Sequence, residues 1–484
     1  MRHSFLLLGL VVPAALFAAC GGGDDAASAG GDGGGGDDGG VANQDGTVGD
    51  GSRGDGSIAA DSMPVPPAMG DPCRGTPLPA GAFYQPAGTC TRVVASNVGG
   101  LRQITFAPNG DMFGTSGAAI RLFHDANANG VFEASEITTY AATGGNGNNA
   151  HVDAAGGFLY AGSTAGVKRF PYAPGMASGG NGEDVVVGQP ADGHNYHTVH
   201  VYDGYLYVHS GSAGNAVNPM SPAYDTARSL LRRFKLSSFV PGTPFAWGTG
   251  EVVVVGLRNM VGFTRNAAGR MYGVVNGLDE ISYGGNNVHD DNPGEQVLSL
   301  EMGKQYGYPF CFTAQRVIAN GNVVAPGTQL ANPGFGPHDD AWCATNSSKP
   351  STFLQAHSAP LDIFFFDAQP TGALPEKWRG GAFVTSHGSW DRGAATGYKV
   401  VWIPFDANGN APMPTSTMTT TTFPYEIVFG GGDANGPQDG PWSWNGGGLG
   451  ESPRPVGVAI SPVDGALYIS SDSGGYLYRV GIMH

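Results

Sequence analysis

The sequence predicts an all-β fold, specifically a six-bladed β-propeller, from three observations. Apolar runs are short and bounded by Gly, Pro, Asn and Asp, almost no stretch has a helical period, and one pattern recurs six times. Each copy has a glycine turn, then an apolar and aromatic strand, then small polar residues. The six copies are FAPNGDMFGTS (106–116), DAAGGFLYAGS (153–163), VYDGYLYVHSG (201–211), NAAGRMYGVVNG (266–277), GGAFVTSHGSW (380–390) and SPVDGALYISSD (461–472).

The turns of this repeat indicate hairpins, because Asn-Gly and Asp-Gly accept the positive φ that tight hairpin turns need. The copy at 380–390 is weaker because it lacks the Asx-Gly turn. Six units over about 400 residues fit six blades, whose radial repetition protects the strand edges. Two tandem β-sandwiches are the alternative. The segment ARSLLRRFKL (227–236) comes nearest to a helical pattern, and a strand with flanking charges is an equal interpretation.

The first 20 residues, MRHSFLLLGLVVPAALFAAC, predict a secretory signal peptide that is too short to be a membrane span. The junction from Phe17 to Cys20 resembles a bacterial lipobox, although Leu is usual at the position of Phe17. Lipidation of Cys20 would make the protein an exported lipoprotein, anchored to a membrane facing the periplasm or the cell surface. An ordinary secretory signal is the alternative.

Residues 21–69 predict a disordered acidic tether rich in Gly and Asp. Nine Asp and one Arg between residues 21 and 61 give a charge of −8, half of the formal −16 of the chain. Such a segment cannot bury enough apolar surface to offset the entropy of ordering. The propeller is therefore expected at 70–484. Its mild acidity and the lack of a basic patch argue against a nucleic-acid partner.

The five cysteines fit an oxidising compartment once Cys20 is set aside for lipid, because four remain. Four cysteines allow three pairings, and proximity in the sequence favours Cys73–Cys90 and Cys311–Cys343. No CxxC spacing indicates zinc or a redox pair, so structural disulfides are the preferred interpretation.

The segment DGHNYHTVH carries His194, His197 and His200 just before a predicted strand. In a β context these three side chains do not share a face, so a zinc triad is disfavoured. One loop histidine acting as a general base is more plausible, since imidazole titrates near neutral pH. Ordinary polar histidines are the alternative.

A second cluster lies in GLRNMVGF and NGLDEI, where polar groups gather at the ends of two predicted strands. The planar guanidinium of Arg258 suits a carboxylate, and Asn259 supplies a donor and an acceptor. Gly277 permits close approach of the backbone to a ligand or ion. The alternative is a purely structural loop in which Asp279 or Glu280 pairs with Arg258.

Three further segments add candidates for the mouth of the propeller. The segment 289–312 is interpreted as the wall of a pocket, or else as a rim loop held by its cysteine. His387 and Arg392 lie in a glycine-rich loop, and Arg454 precedes the last repeat. Arginine is scarce in this chain, so arginines at the predicted mouth indicate an anion site. Solvated surface charges are the alternative.

The segment DANANGVFEASE (125–136) matches the EF-hand loop pattern D-x-[DN]-x-[DN]-G-x5-E. Asp125, Asn127, Asn129 and Glu136 would be the calcium ligands. The flanking residues do not resemble two helices. A calcium-binding surface loop and an Asx-rich turn between strands both remain open.

A longer series of segments resembles the glucose/sorbosone dehydrogenase family, the soluble sugar dehydrogenases that use pyrroloquinoline quinone. The resemblance covers residues 95–481 and rests on segments that occur in the order of the family. These are LRQITFAPNGDMF, GHNYHTVHVYDGYLYVHSGSAGN, GLRNMVGF, NGLDEI, DNPGEQ, GYPFC, HSAPL, GGAFVTSHGSWDRGAATGYKV and RPVGVAISPVDGALYISSD. It implies a six-bladed propeller with the quinone in the axial mouth beside a calcium ion.

The resemblance also implies roles for single residues. His194 matches the histidine that takes the proton of the sugar hydroxyl while a hydride passes to the quinone. Arg258 and Asn259 match residues that contact the cofactor. Gly277 and Leu278 match the pair whose backbone carbonyls hold the calcium ion.

Arg454 matches an arginine that meets a cofactor carboxylate, and Arg392 and His387 lie in a loop that supplies a cationic contact. The sequence departs from the family where Met260 replaces a usual proline and where His197 replaces an arginine. We expect these departures to alter substrate choice more than calcium binding, because backbone carbonyl ligands do not depend on side chains.

The sequence therefore predicts a quinoprotein oxidoreductase that oxidises an alcohol or hemiacetal carbon of a sugar or polyol. Its cofactors would be pyrroloquinoline quinone and calcium, and its electron acceptor a cytochrome or a quinone. One alternative is a non-catalytic surface propeller that binds carbohydrate or protein. A calcium-dependent lactonase-like hydrolase is another, but it would need carboxylate or amide side chains clustered around the metal.

Overall fold

The computed structural model describes most of the chain after residue 72. The described residues are 73–78, 83–216, 227–319, 322–333, 335–367, 369–415, 423–433, 436–440, 442 and 452–483. The predicted signal peptide, the predicted lipidation site Cys20 and the predicted tether at 21–69 lie outside the described residues. Within the described residues, no helix has the length and apolar character that crossing a membrane requires.

Six sheets of four or five strands form the six blades, numbered here in chain order. Blade 1 contains Leu101–Phe106, Met112–Ser116, Ala119–Phe123 and Ile137–Ala142. Blade 2 contains Gly147–Asp153, Phe158–Ser163, Gly166–Pro171, Glu183–Val187 and the parallel edge strand Phe245–Ala246. Blade 3 contains Val199–Tyr202, Tyr205–Ser210, Leu230–Lys235 and Glu251–Val255.

The remaining blades follow the same antiparallel order. Blade 4 contains Asn259–Arg265, Met271–Asn276, Glu295–Ser299 and Thr352–Leu354. Blade 5 contains Pro360–Phe365, Ala382–Ser386, Lys399–Ile403 and Glu426–Gly430. Blade 6 contains Pro455–Ile460, Leu467–Ser471, Tyr476–Ile482, Thr89–Ala95 and Thr76–Pro77.

Short elements decorate the blades. The two-stranded pairs are Ser282–Tyr283 with Asn286–Asn287, Cys311–Thr313 with Gln329–Ala331, Ile318–Ala319 with Asn322–Val323, and Gly432–Asp433 with Gly436–Pro437. The α-helix is Asp340–Asn346, and its N-cap is Asp339, whose side chain accepts a hydrogen bond from the Trp342 backbone. The 3-10 helices are Ala134–Glu136, Leu236–Ser238, Trp247–Thr249, His289–Asp291 and Glu376–Trp378.

The predicted six-bladed propeller is confirmed, and each copy of the sequence repeat contains the second strand of one blade. The turn before that strand joins it to the innermost strand of the blade. The segment 227–236, which had the pattern nearest to a helix, contains the strand Leu230–Lys235.

Blade 6 closes the ring by combining strands from both ends of the propeller. Thr89–Ala95 pairs antiparallel with Tyr476–Ile482. The predicted disulfide Cys73–Cys90 ties the preceding segment to this blade. The second predicted disulfide, Cys311–Cys343, is also confirmed and joins a strand to the α-helix.

The innermost strands are joined across the axis by side-chain amides. Gln103 Nε2 donates to the carbonyl oxygens of Leu361 at 2.7 Å and Val261 at 3.2 Å. Asn148 Nδ2 donates to Thr198 Oγ1 at 2.5 Å, and that hydroxyl donates to the Val261 carbonyl. These bonds link blades 1 to 5, and apolar clusters fill the space between neighbouring blades. The loops above the axis therefore rest on a fixed framework.

Gly162 tests how tightly blades 2 and 3 pack. A Cβ atom at this position would lie 1.5 Å from the backbone oxygen of His197. We expect Gly162→Ala to lower the free energy of unfolding by about 3 kcal/mol or more, because backbone cannot yield as a flexible side chain can. Urea denaturation measures the loss.

Gly248→Ala is the matched control for that substitution. An added Cβ at Gly248, in the 3-10 helix Trp247–Thr249, would meet nothing within 4 Å. Its effect on unfolding should stay within about 0.5 kcal/mol. Equal stabilities of the two variants would contradict the close packing of these blades.

Candidate functional site

Successive strands run antiparallel, so two kinds of connection open on one face of the propeller. These are the loops between the second and third strands of a blade and the links from one blade to the next. We call this face the mouth face. The structure brings the predicted residues His194, Arg258, Gly277, His387 and Arg454 to it from blades 2 to 6.

His194 lies in the link between blades 2 and 3 and is partly buried. Its backbone N–H donates to the Ser212 carbonyl at 2.9 Å, and its Nδ1 lies 2.8 Å from Ser212 Oγ. Burial, reinforced by the positive charge of Arg258, lowers the pKa of His194 from 6.5 to about 3. The imidazole is therefore neutral at physiological pH, which is the state that can accept a proton.

Arg258 is fixed by a frame of hydrogen bonds from two other loops. Its Nε donates to the Asn215 carbonyl at 2.9 Å, and its Nη2 contacts Asp279 Oδ2 at 2.8 Å and Asn215 Oδ1 at 3.1 Å. The Asn215 amide also donates to the Asp279 carbonyl at 2.8 Å. Among the described residues, none accepts a hydrogen bond from Nη1 of Arg258. The pairing of Arg258 with Asp279 was the structural alternative from the sequence, and it is present.

His357 extends this frame through contacts with Asp279 and with two backbone carbonyls. Its Nδ1 lies 3.4 Å from Asp279 Oδ1, and its Nε2 donates to the carbonyls of His289 at 2.7 Å and Asn292 at 3.1 Å. Burial alone would lower the pKa of His357, but the hydrogen bond with Asp279 and the charge of Glu295 outweigh it and raise this pKa. Positive and negative side chains thus alternate behind Arg258.

Glu295 holds the turn that contains the predicted calcium ligands. Its Oε2 accepts the Gly277 N–H at 2.6 Å, and burial raises the pKa of its carboxyl to about 7. In the part of the chain that the structure describes, no hydrogen bond ends on the carbonyl oxygens of Gly277 or Leu278. Oxygen atoms of this kind are the ligands that calcium prefers.

A second charged group lies where blades 1, 5 and 6 meet. Asp472 binds Arg102 Nη1 at 2.9 Å and His387 Nε2 at 2.9 Å. Arg454 donates to the carbonyls of His387 and Gly388, each at 3.3 Å. Burial opposes ionisation of Asp472, but the charges of His387, Arg102 and Arg454 hold its pKa well below the usual range. Two arginines and an ionised carboxylate therefore share this side of the mouth.

Arg392 and Asn259 have mainly structural contacts. Arg392 Nε donates to the Asp290 carbonyl at 2.7 Å and Nη1 to the Ala394 carbonyl at 2.5 Å. These bonds fasten the loop of blade 5 to the 3-10 helix His289–Asp291 of blade 4. Asn259 begins the inner strand of blade 4, opposite Asn276.

The EF-hand-like loop joins the third and fourth strands of blade 1, which places it on the face opposite the mouth. Asp125 accepts hydrogen bonds from the N–H groups of Asn129 at 3.0 Å and Gly130 at 2.8 Å. Gly130 has φ of +78°, and Glu136 accepts the N–H of residue 126 at 3.0 Å. The described residues contain no group of three or more His, Cys, Asp or Glu side chains placed to hold a metal ion. Calcium binding by this loop stays a prediction.

A small pocket that is partly open to solvent lies beside the Gly277–Leu278 turn. Arg258, Tyr306 and Tyr308 help to line it. The segment 289–312 therefore forms the wall of a pocket, as predicted, and is also fastened by a disulfide through its cysteine.

Sequence reasoning gave no role to several residues that complete the site. Ser212, Asn215, Glu295, His357 and Asp472 lie inside segments that carry the family resemblance, so their segments were flagged but their contacts were not. Arg102 likewise lies in the first of those segments.

The fold is the six-bladed propeller that the sequence predicts, and comparison with known proteins confirms the resemblance to the quinoprotein sugar dehydrogenases. More specifically, the chain belongs to the TrAA12-like family, whose profile matches residues 84–482.

Two curated relatives carry names that agree with this family. The pyrroloquinoline quinone-dependent pyranose dehydrogenase of Coprinopsis cinerea is 28% identical over 427 residues, covering 84% of this chain and 56% of that protein. The pyrroloquinoline quinone-dependent sugar dehydrogenase of Hypocrea jecorina is 30% identical over 285 residues, covering 56% of this chain and 58% of that protein. The chain thus spans little more than half the length of these relatives.

Two solved structures have the same fold. The holo form of the pyrroloquinoline quinone domain of the Coprinopsis cinerea pyranose dehydrogenase has a TM-score of 0.69 at 26% identity, covering 84% of this chain and 99% of that chain. The calcium structure of the Trichoderma reesei carbohydrate-active enzyme of family AA12 has a TM-score of 0.70 at 25% identity, covering 84% of this chain and 98% of that chain.

Five histidines around blades 2 and 3 share a pKa that is lowered from 6.5, mainly by burial. The pKa is about 4 in His151 and His197 and about 3 in His194 and His209. In His200 it is well below 6.5. As the pH falls below 6.5, these histidines gain protons in the unfolded chain but stay neutral in the folded chain. The free energy of unfolding therefore decreases. We expect each histidine to remove up to about 1.4 kcal/mol of unfolding free energy per pH unit.

Urea denaturation at pH 6.5 and pH 5.0 measures this loss. Glu295 and Asp362 act in the opposite direction, because burial raises their pKa values to about 7 and about 8. Because five histidines lower the free energy of unfolding as the pH falls and two carboxyls raise it, we expect a net decrease between pH 6.5 and pH 5.0. An unfolding free energy that is higher at pH 5.0 than at pH 6.5 would show that these histidines are not neutral in the folded state.

Proposed function

We propose that the protein is a pyrroloquinoline quinone-dependent dehydrogenase that oxidises an alcohol or hemiacetal carbon of a sugar or related polyol. The observation that carries this proposal is the neutral imidazole of His194 on the same face as the rigidly held guanidinium of Arg258. The names of the curated relatives and the holo structure of the pyranose dehydrogenase domain support it.

The residues on the mouth face fit an anionic cofactor. Pyrroloquinoline quinone is a tricarboxylate, and guanidinium groups bind carboxylates through paired donors. Arg258 is held through Nε and Nη2, which leaves Nη1 for the ligand. Arg454 would contact a second carboxylate, and Asn259 would add an amide.

The carbonyl oxygens of Gly277 and Leu278 would hold a calcium ion next to the quinone. Backbone oxygens suit this hard cation, and the hydrogen bond from the Gly277 N–H to Glu295 fixes the turn. The calcium structure of the Trichoderma reesei enzyme is consistent with such a site.

In this mechanism the chain itself positions the substrate and moves one proton. His194 would accept the proton of the substrate hydroxyl, because its imidazole is uncharged. When bound, the quinone supplies the oxidising chemistry by accepting a hydride from the carbon that bears this hydroxyl. A cytochrome or a quinone would serve as the electron acceptor.

His387 and Arg392 would act mainly by holding the loops that surround the cofactor. His387 binds Asp472 at 2.9 Å, and Arg392 binds the Asp290 carbonyl at 2.7 Å. Arg392 would bring positive charge to the wall of the mouth, and both residues would keep these hydrogen bonds when the ligand binds.

The main experiment is reconstitution of the full chain with pyrroloquinoline quinone and Ca²⁺, followed by dye reduction with a panel of sugars. We expect sugar-dependent reduction. We expect His194→Ala to lower kcat by about 10²- to 10⁴-fold, the usual contribution of a general base. Quinone binding, followed by absorbance titration, should persist in that variant.

His124→Ala is the control, because His124 precedes the EF-hand-like loop on the face opposite the mouth and pairs with Asp111. Its activity should equal that of the unmodified chain. If the unmodified chain binds no quinone, or if His194→Ala retains full activity, the proposed function is wrong.

We also propose that Cys20 carries lipid and anchors the protein to a membrane surface facing the periplasm or the cell surface. The lipobox-like junction supports this, and the two disulfides suit an oxidising compartment. Labelled fatty acid should enter the unmodified chain in a bacterial host, and Cys20→Ser should abolish the label. A label that persists in Cys20→Ser would rule out this anchor.

A further inference from the structure

Ser212 lies at the junction of the two groups on which the proposed function depends. Its backbone N–H donates to the Arg258 carbonyl at 2.8 Å, and its own carbonyl accepts the His194 N–H at 2.9 Å. The residue is 2% exposed, and its hydroxyl oxygen lies 2.8 Å from His194 Nδ1. One serine therefore contacts both the imidazole and the segment that carries the guanidinium.

The direction of the hydrogen bond between Ser212 and His194 follows from the other bond of the hydroxyl. A serine hydroxyl has one hydrogen and two lone pairs. Ser212 donates that hydrogen to the Gly214 carbonyl at 2.7 Å. Towards His194 the hydroxyl oxygen can then only accept, so His194 Nδ1 must carry the hydrogen. A neutral imidazole has one N–H, which leaves Nε2 with the lone pair.

We propose that Ser212 is a positioning residue that holds His194 in its Nδ1-protonated tautomer and so makes Nε2 the atom that accepts the substrate proton. This inference rests on the proposed function and adds to it the atom that acts as the base. The described residues offer Nε2 no hydrogen-bond partner, which agrees with an atom that faces the substrate.

The backbone next to Ser212 packs tightly against His194 and Arg258. A Cβ atom at Gly211 would lie 2.6 Å from His194 Cβ and 3.2 Å from the Arg258 carbonyl oxygen. Only glycine allows the chain to pass between the two groups at this distance. The strand Tyr205–Ser210 ends directly before this point and sets where the serine lies.

A neutral partner also has an electrostatic consequence for the base. The charged groups near His194 are Arg258, which disfavours its protonation, and Asp279, which favours it. Asp279 is itself paired with Arg258, so the hydroxyl and the backbone of Ser212, rather than a carboxylate, contact the imidazole. Ser212 thereby orients the ring without adding a negative charge that would stabilise the imidazolium.

The tautomer can be read directly by ¹⁵N NMR of the full chain labelled at histidine and free of cofactor. His194 should show a protonated Nδ1 and an unprotonated Nε2 at pH 7, and its signals are assigned by their loss in His194→Gln. A protonated Nε2 in the unmodified chain would overturn the inference. This NMR measurement requires neither the cofactor nor a Ser212 variant that folds.

Steady-state kinetics of the enzyme reconstituted with pyrroloquinoline quinone and Ca²⁺ provide a second test. We expect Ser212→Ala to lower kcat at least about tenfold, since part of the general-base contribution is lost. KM for sugar and the affinity for quinone should stay within about twofold. Ser212→Thr keeps a hydroxyl and should restore both kcat and the Nδ1-protonated tautomer.

The outcomes separate this inference from the proposed function. An unmodified chain that oxidises no sugar would contradict the proposed function, while NMR would still decide the tautomer. If Ser212→Ala keeps both the tautomer and kcat, Ser212 is only structural and the inference fails. A loss of kcat accompanied by an equal loss of quinone binding would likewise show a structural role.

Discussion

The hydrogen-bond frame around Arg258 is the interaction on which the rest of the mouth depends. Asn215 and Asp279 come from loops of different blades, yet they bind the guanidinium and each other within 3.1 Å. Loops have no periodic hydrogen bonding of their own, so such a frame decides where they lie. The link that carries His194 and the turn at Gly277 are attached to it on either side.

Alternating charge explains how the site keeps ionised groups in a buried setting. Arg258, Asp279, His357 and Glu295 alternate between basic and acidic side chains, so each buried titratable group has a compensating neighbour. A buried charge without a partner would cost several kcal/mol. His194 stands beside this series, and burial together with the charge of Arg258 keeps it neutral.

The fold and the outline of the site could be predicted from the sequence, but the pairs that build the site could not. Six turn-and-strand repeats indicate six blades, and proximity indicates both disulfides, because these signals are local. His387 and Asp472 are 85 residues apart, and Asn215 and Asp279 are 64 apart. Such pairs depend on loop conformations and on neighbouring blades, which no spacing in the sequence reveals.

The closure of blade 6 has a consequence for the order of events during synthesis. Its strand Thr89–Ala95 is synthesised before blades 1 to 5, but its partner Tyr476–Ile482 is synthesised after them. Asp472 and Arg454 belong to this later part, so the charged group that they form with Arg102 and His387 is incomplete until blade 6 has been made. Loading of a ligand that contacts both sides of the mouth must therefore follow synthesis of blade 6.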